Sequence, residues 1–489
     1  MRNMTVNARL CLVPRTLAMA CALALAGCAV GPDYQRPEAP VTPTFKEAPA
    51  EWGRWKPADP QDAVNRGDWW TVFGDSQLDA LMAQVQVSNQ NIRAAEAQYR
   101  QAQAILQASR SGYFPSVGAQ GSVDRSRGSS GQISSGQAAT LSAVWELDVW
   151  GRVRREVESS EAQVQASQAD LASTLLSTHA ALAQTYFLLR VADAQRALLQ
   201  RTVADYEKSL QLVRNQYAAG TAQRSDVLQS ETQLKTAQAQ LIDIQITRAQ
   251  YEHALAVLIG KPPADFALAP VDFAERVPRV PVAVPSELLE RRPDIGAAER
   301  RMASANAQIG VAQAAYYPSL SLSATGGLTS SSLSQWLSLP NRIWSIGPDL
   351  ALTLFDGGLR NAAKAQAVAV YDQTVANYRQ TVLNAFQEVE DNLAAARLLE
   401  EEATVQNEAL RSAREALALV NNRYRAGTAG LLDVLTAQTA AYTAERNALS
   451  LAGRQLTASV TLVKALGGGW QLQPVGAARQ PDAGGATAR

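Results

Sequence analysis

Leu141-Ser142-Ala143-Val144-Trp145-Glu146-Leu147-Asp148-Val149 is the stretch on which the fold turns. Leu141, Ala143, Trp145, Leu147 and Val149 fall on one side of an extended chain, and Ser142, Val144, Glu146 and Asp148 on the other. Such alternation builds a strand with one apolar and one largely polar face. Three further segments carry the pattern. Val117, Ala119, Gly121 and Val123 alternate with Ser116, Gly118, Gln120, Ser122 and Asp124. Leu320, Leu322 and Ala324 alternate with Ser319, Ser321, Ser323 and Thr325. The fourth segment puts Trp344, Ile346, Leu350, Leu352 and Leu354 on one face.

Each segment reads as about 9–11 residues, the length of a tilted transmembrane β-strand, with lipid outside and water inside. Tyr113, Phe114, Trp145, Trp150, Tyr316, Tyr317, Trp336 and Trp344 gather at the segment ends, as an interfacial aromatic girdle does. Four strands cannot close a barrel, since the smallest membrane barrels use about eight. Lipid tolerates no open edge. The chain is therefore expected to share a barrel with other copies, two chains supplying eight strands and three supplying twelve.

The strands recur because the chain is duplicated. Ala94-Ala95-Glu96 returns as Ala297-Ala298-Glu299 and Phe114-Pro115-Ser116 as Tyr317-Pro318-Ser319, 203 residues on. Asn215-Gln216-Tyr217-Ala218-Ala219-Gly220-Thr221 returns as Asn422-Arg423-Tyr424-Arg425-Ala426-Gly427-Thr428, 207 residues on. Each copy runs helix, two strands, very long helix, turn, helix; two such copies are a duplicated architecture, not a short-repeat solenoid. One helix is expected from Asp75 to about Arg110. Neither Pro nor Gly occurs from Arg152 to Ala219 or from Leu359 to Ala426, so each stretch could run roughly 100 Å as helix. Val157, Val164 and Leu171, and Val368, Val375, Val382 and Val389, are spaced by seven, as in a coiled coil. Both long stretches end in Tyr-x-Ala-Gly-Thr. Gly220 and Gly427 suit helix C-caps. Asp226 and Asp433 open the next helix, where a carboxylate suits the dipole. Alternatively these turns form a pore tip, with the aspartates in a ring near its constriction.

Composition narrows the function. Lys+Arg and Asp+Glu each number 45, so no net field points to nucleic acid. The cysteines, Cys11, Cys21 and Cys28, all lie near the N-terminus, and His179 and His253 are the only histidines. A disulfide framework or a His/Cys metal site further along is excluded. There is no P-loop and no Gly-x-Ser-x-Gly, and Glu400-Glu401-Glu402 reads as a solvated helix face. The expectation is a protein that is not an enzyme and carries no cofactor.

The N-terminus reads as an address. Arg2, Arg9 and Arg15 precede an apolar run from Leu17 to Ala26, the layout of a secretory signal and too short to span a bilayer. Leu25-Ala26-Gly27-Cys28 resembles a bacterial lipobox, which implies cleavage before Cys28 and a diacylglycerol and N-acyl lipid on it. The expected organisation is a signal peptide at 1–27 and a lipidated, Pro-rich extended tether at 28–67. Repeat one follows at 68–260, a linker at 261–293, repeat two at 294–470 and a disordered tail at 471–489.

Taken together, these stretches resemble the TolC-like outer-membrane efflux factors, in their lipidated OprM/NodT branch. The matches are Gly31-Pro32-Asp33-Tyr34, Asp68-Trp69-Trp70, Phe73-Gly74-Asp75, Ala94-Ala95-Glu96, Trp145 through Arg152, Arg291-Arg292-Pro293-Asp294-Ile295, the Tyr-Pro-Ser strand openings and both Tyr-x-Ala-Gly-Thr turns. The resemblance implies a mixed α/β membrane protein: a homotrimer with a shared 12-stranded outer-membrane barrel continuing into a mostly α-helical coiled-coil periplasmic tunnel. It also implies an equatorial belt that includes the linker. A periplasmic adaptor and an inner-membrane transporter, commonly of the RND class, are the implied partners. The implied role is a passive exit duct for drugs or other small toxic compounds, lipid-anchored in the outer membrane. The tip and gate residues would be Tyr217, Gly220, Thr221, Asp226, Tyr424, Gly427, Thr428, Leu432 and Asp433. Thr436 departs from the family, where some members carry a gate aspartate; Asp433 or Asp226 substitutes, or the closed state is less acidic. A type I protein-secretion duct and a non-conducting coiled-coil lipoprotein are the competing readings.

Overall fold

The computed structural model describes residues 29–39, 45–47, 68–271 and 291–468. The signal segment, Cys28, most of the tether, linker positions 272–290 and the tail 471–489 lie outside the described residues. The elements run α1 (Ser76–Ser88), α2 (Gln90–Ser111), β1 (Ser116–Arg127), β2 (Ile133–Leu147), α3 (Arg152–Ala218), α4 (Arg224–Leu258), α5 (Pro293–Ala314), β3 (Ser319–Ser330), β4 (Arg342–Ala351), α6 (Leu359–Arg425) and α7 (Leu431–Ala465).

Lengths recur at the sequence offsets. α2 and α5 hold 22 residues each, α3 and α6 67, and α4 and α7 35. Ser116 pairs with Val144 across β1–β2, and Ser319 with Ala351 across β3–β4. β4 therefore already stands 207 residues from β2, while β3 stands 203 from β1. The change of offset falls in the β3–β4 loop.

The described chain forms two compact units, each drawing on both repeats. The first contains the sheet, in the order β1-β2-β3-β4 and antiparallel throughout. Its register aligns the apolar faces: Ala119 lies opposite Leu141, Leu141 opposite Gly326, and Gly326 opposite Trp344. The other face carries Gln120, Thr140, Ser142, Ser323 and Thr325. Much of the apolar face is bare in one chain, with Val117, Leu141, Trp344, Ile346 and Leu350 all at least 60% exposed, while Leu320, Leu322 and Ala324 of β3 are half-buried.

Beside the sheet, this unit packs helices through small side chains. Ala162, Ala166 and Ala169 of α3 are buried at helical spacing, as are Met302, Ala305 and Ile309 of α5. An N-terminal strap is laced across them. Buried Arg155 donates to Asp33 at 2.8 Å and to the Val30 and Gly31 carbonyls at 3.3 Å. Asn306 donates to the Pro32 carbonyl at 2.9 Å, and Arg36 reaches the Tyr378 hydroxyl at 3.2 Å.

In the second unit Leu78, Met82 and Val85 of α1, Leu182, Tyr186 and Leu189 of α3, Leu255 of α4 and Leu456 and Val460 of α7 form the core. Each fully buried side chain of this size stabilises by about 1.5–3 kcal/mol. Among the described residues no helix is long and apolar enough to cross a membrane.

Three expectations need correction. The helix from Asp75 to Arg110 is two helices, broken at Asn89, whose Oδ1 accepts from the Asn91 and Ile92 amides at 2.9 and 3.1 Å. The strands span 12, 15, 12 and 10 residues, so three match or exceed the top of the expected range. Val149, Leu352 and Leu354 fall beyond the strand ends: at Val149 the chain turns as Asp148 caps α3, and Leu352 and Leu354 have no ladder partner in one chain.

Candidate functional site

The candidate site lies in the second unit, where each long helix turns back. α3 ends with the Gly220 amide donating to the Tyr217 carbonyl at 3.0 Å and the Thr221 amide to the Gln216 carbonyl at 2.9 Å. α6 ends identically: Gly427 to Tyr424 and Thr428 to Arg423, both at 2.9 Å. This is the Schellman arrangement, which needs a left-handed residue; both glycines adopt φ +75°. The Thr221 and Thr428 hydroxyls add bonds to the same two carbonyls, at 3.0 and 3.1 Å.

Beyond each turn a carboxylate closes the next helix. Asp226 accepts from the Gln223 amide and Asp433 from the Gly430 amide, each at 3.0 Å. Both aspartates thus stand at the third helical position and satisfy an amide that the helix leaves free. Each bonds to its own helix start rather than to the other aspartate.

The two helical hairpins touch through polar side chains. Tyr424 donates its hydroxyl to Gln216 Oε1 at 2.8 Å, while Tyr217, its counterpart in the first repeat, is half exposed. Gln233 Nε2 donates to Thr439 Oγ1 at 2.7 Å and to the Tyr206 hydroxyl at 3.0 Å. Gln438 reaches Ser209 at 3.3 Å, and Tyr442 reaches Gln240 at 3.1 Å. Tyr206 anchors a small core with Leu210, Leu234 and Ala237, and burial pushes its hydroxyl above the usual phenol range. Leu432 is exposed and, with Gln229, Gln233, Gln406, Thr436 and Thr439, borders a cleft of about 660 Å³.

Gln216, Gln233, Ser209 and Thr439 are the partners that sequence reading missed. A signal was available: Gln229, Gln233, Thr236 and Gln240, and Thr436, Thr439, Thr443 and Asn447, form polar stripes at helical spacing. Cys28, the expected lipid site, lies outside the described residues. Among the described residues no cluster of His, Cys, Asp and Glu is suited to hold a metal ion.

A family model described as outer membrane efflux protein matches residues 81–261 and 284–468. The chain belongs to the outer membrane efflux protein family. It is a passive outer-membrane efflux channel, not an enzyme. It is 35% identical to the antibiotic efflux pump outer membrane protein ArpC of Pseudomonas putida, over 92% of this chain and 95% of that one. Among solved structures the outer-membrane channel OprN superposes with a TM-score of 0.81 at 32% identity, covering 91% of this chain and all of that one. The open state of the MtrE channel of Neisseria gonorrhoeae gives a TM-score of 0.80 at 30% identity, covering 90% and 98%.

Proposed function

We propose that three copies of this chain form one exit duct: a shared 12-stranded barrel in the outer membrane opening into a periplasmic tunnel of α3, α4, α6 and α7. The two family-matched halves act as pseudo-equivalent staves, with the linker 261–293 in a belt around the tunnel. Cys28 carries the diacylglycerol and N-acyl lipid that hold the N-terminus at the membrane. A periplasmic adaptor docks at the turn end, and an inner-membrane transporter of the RND class supplies the energy. Drugs or other small toxic compounds are the cargo.

What carries this reading is the sheet. Its apolar face is exposed along β1 and β4 and at Leu141 of β2, its opposite face is largely polar, and β1 and β4 each leave an edge unpaired. Water disfavours the first face and lipid disfavours open edges, so the sheet is stable only as part of a closed barrel in a bilayer. The turns at Gly220 and Gly427, with Leu432 exposed beside them, form the narrow end.

The test is reconstitution. Purified mature protein in detergent should be trimeric by light scattering and should conduct in planar bilayers. The double variant Leu432→Gly, Asp433→Ala should raise single-channel conductance. A monomer that stays soluble without detergent and never conducts would overturn the proposal.

A further inference from the structure

The junction between the two hairpins of the sheet is a template for its free edges. β2 extends three residues past its last pair with β1: Ser116 ends opposite Val144, but β2 continues through Leu147. The extension, Trp145 to Leu147, pairs only with β3, with Leu147 opposite Leu320 and Trp145 opposite Leu322. The β3 ladder gives those three residues their backbone partners, while the Trp145 and Glu146 side chains are tied to Tyr113 and Arg152.

β4 lacks that support. It ends at Ala351, opposite Ser319, and Leu352, Thr353 and Leu354 follow outside the ladder. These three stand 207 residues after Trp145, Glu146 and Leu147, the separation the ladder register gives between β4 and β2. Leu352 and Leu354 are exposed, Leu354 at 87%. The β3 opening that holds Leu147 has its own counterpart 203 residues earlier, in the exposed start of β1 after Phe114-Pro115.

We propose that β4 lengthens by Leu352–Leu354 when its free edge pairs with β1 of a second copy, in a register set by the β2–β3 junction. Leu354 then lies opposite Val117 of the partner subunit, Leu352 opposite Ala119 of the partner subunit, and Leu350 opposite Gly121 of the partner subunit. The inference rests on the shared barrel and specifies its seam. Each pair sets a leucine against a smaller residue on the apolar face, so both chains keep one continuous lipid-facing surface. No like charges meet across the seam in this register. Pro348 falls opposite Val123 of the partner subunit and forfeits at most one ladder bond. A shift by one residue would place leucines opposite Ser116, Gly118 and Gln120 of the partner subunit and turn one chain's apolar set toward water.

Cysteine pairing reads the register. Directly opposed residues in an antiparallel ladder have Cα atoms about 4.5–5.5 Å apart, and positions two residues off are about 7–8 Å apart. A disulfide needs roughly 4.4–6.8 Å. In the full-length lipoprotein, Ala119→Cys with Leu352→Cys should form oxidant-induced dimers and trimers on denaturing gels. Its yield should be at least about tenfold above Ala119→Cys with Leu350→Cys or with Leu354→Cys. Val117→Cys with Leu354→Cys tests the same register should the first pair disturb assembly. Ala143→Cys with Ala324→Cys, opposed within one chain, verifies that the sheet has formed. Light scattering on unoxidised samples separates the outcomes. A trimer that cross-links best in an off-register pair, or in none, overturns the seam and leaves the barrel standing. A monomer overturns both.

Discussion

Replacing Tyr424 with Phe removes one hydroxyl and leaves the ring. That hydroxyl donates to Gln216 at 2.8 Å, a partly buried bond between the ends of α6 and α3. If the duct opens by parting the two hairpins, this bond belongs to the closed state alone. A net hydrogen bond of this kind is worth about 1 kcal/mol, so its loss should raise the open-to-closed ratio about fivefold. Gln233, bonded to Thr439 at 2.7 Å, is a second link of the same kind but more exposed, so Gln233→Leu should contribute less. Gln233 and Thr439 both also bond the Tyr206 hydroxyl, so either replacement alone leaves that buried group one partner. Planar-bilayer recordings at fixed voltage measure the open fraction directly. Tyr217→Phe is the internal control, because the equivalent hydroxyl of the first repeat is exposed and spans no gap between hairpins. An open fraction unchanged in Tyr424→Phe and in the double variant with Thr439→Val, or raised equally by Tyr217→Phe, would refute opening by hairpin separation.

Three further outcomes are expected. Gly220→Ala and Gly427→Ala meet open space and should cost about 1 kcal/mol each for the left-handed backbone, whereas Gly260→Ala and Gly467→Ala should cost about 1–3 kcal/mol more. Their added Cβ would lie 2.1 Å from the Ser88 carbonyl oxygen and 2.7 Å from that of Arg291, and equal losses of thermal stability at all four sites would contradict this. Burial beside Trp70 lowers the His179 pKa from 6.5 to about 4, so the unfolded chain binds the extra proton first and stability should fall as pH drops from 6.5 toward 4. The loss should reach roughly 3 kcal/mol and vanish in His179→Phe, as followed by denaturant unfolding across that range. Asp226→Ala and Asp433→Ala should each speed amide exchange at the following helix start and cost about 0.5–1 kcal/mol. An accompanying change in reversal potential would favour a charged ring over simple caps.

Much of this architecture was legible because period and spacing are local signals. Alternation alone placed Val117, Ala119, Leu141, Ala143, Leu320, Leu322, Trp344 and Ile346 on the face the register assembles. The lack of Pro and Gly located the long helices to within a residue of Arg152–Ala218 and Leu359–Arg425. What escaped depends on partners distant in sequence. Asn89 breaks a helix although asparagine is ordinary on a helix surface. Its amide also donates to the Leu258 carbonyl at 2.7 Å, 169 residues away, and no window around position 89 contains that partner. The heptad valines were half right for a related reason: Val382 and Val389 are buried while Val368 is exposed, since spacing finds a seam without saying what lies across it.

The end of β4 carries the same lesson further. Alternation continues past Ala351 through Leu352 and Leu354, yet the ladder in one chain stops at Ala351. In the first repeat the same three positions are strand, and their side chains help hold them: Trp145 donates to the Tyr113 carbonyl at 3.0 Å and Glu146 pairs with Arg152 at 2.8 Å. The neighbour differs as well, because β2 has β3 beside it and β4 has only an open edge. A pattern written beyond what one chain can satisfy is what a strand shared between chains should leave in a sequence. Alternation outruns the ladder by one apolar position at the internal strand β2, at Val149, and by two at the edge strand β4, at Leu352 and Leu354; the larger surplus marks how far the missing strand reaches.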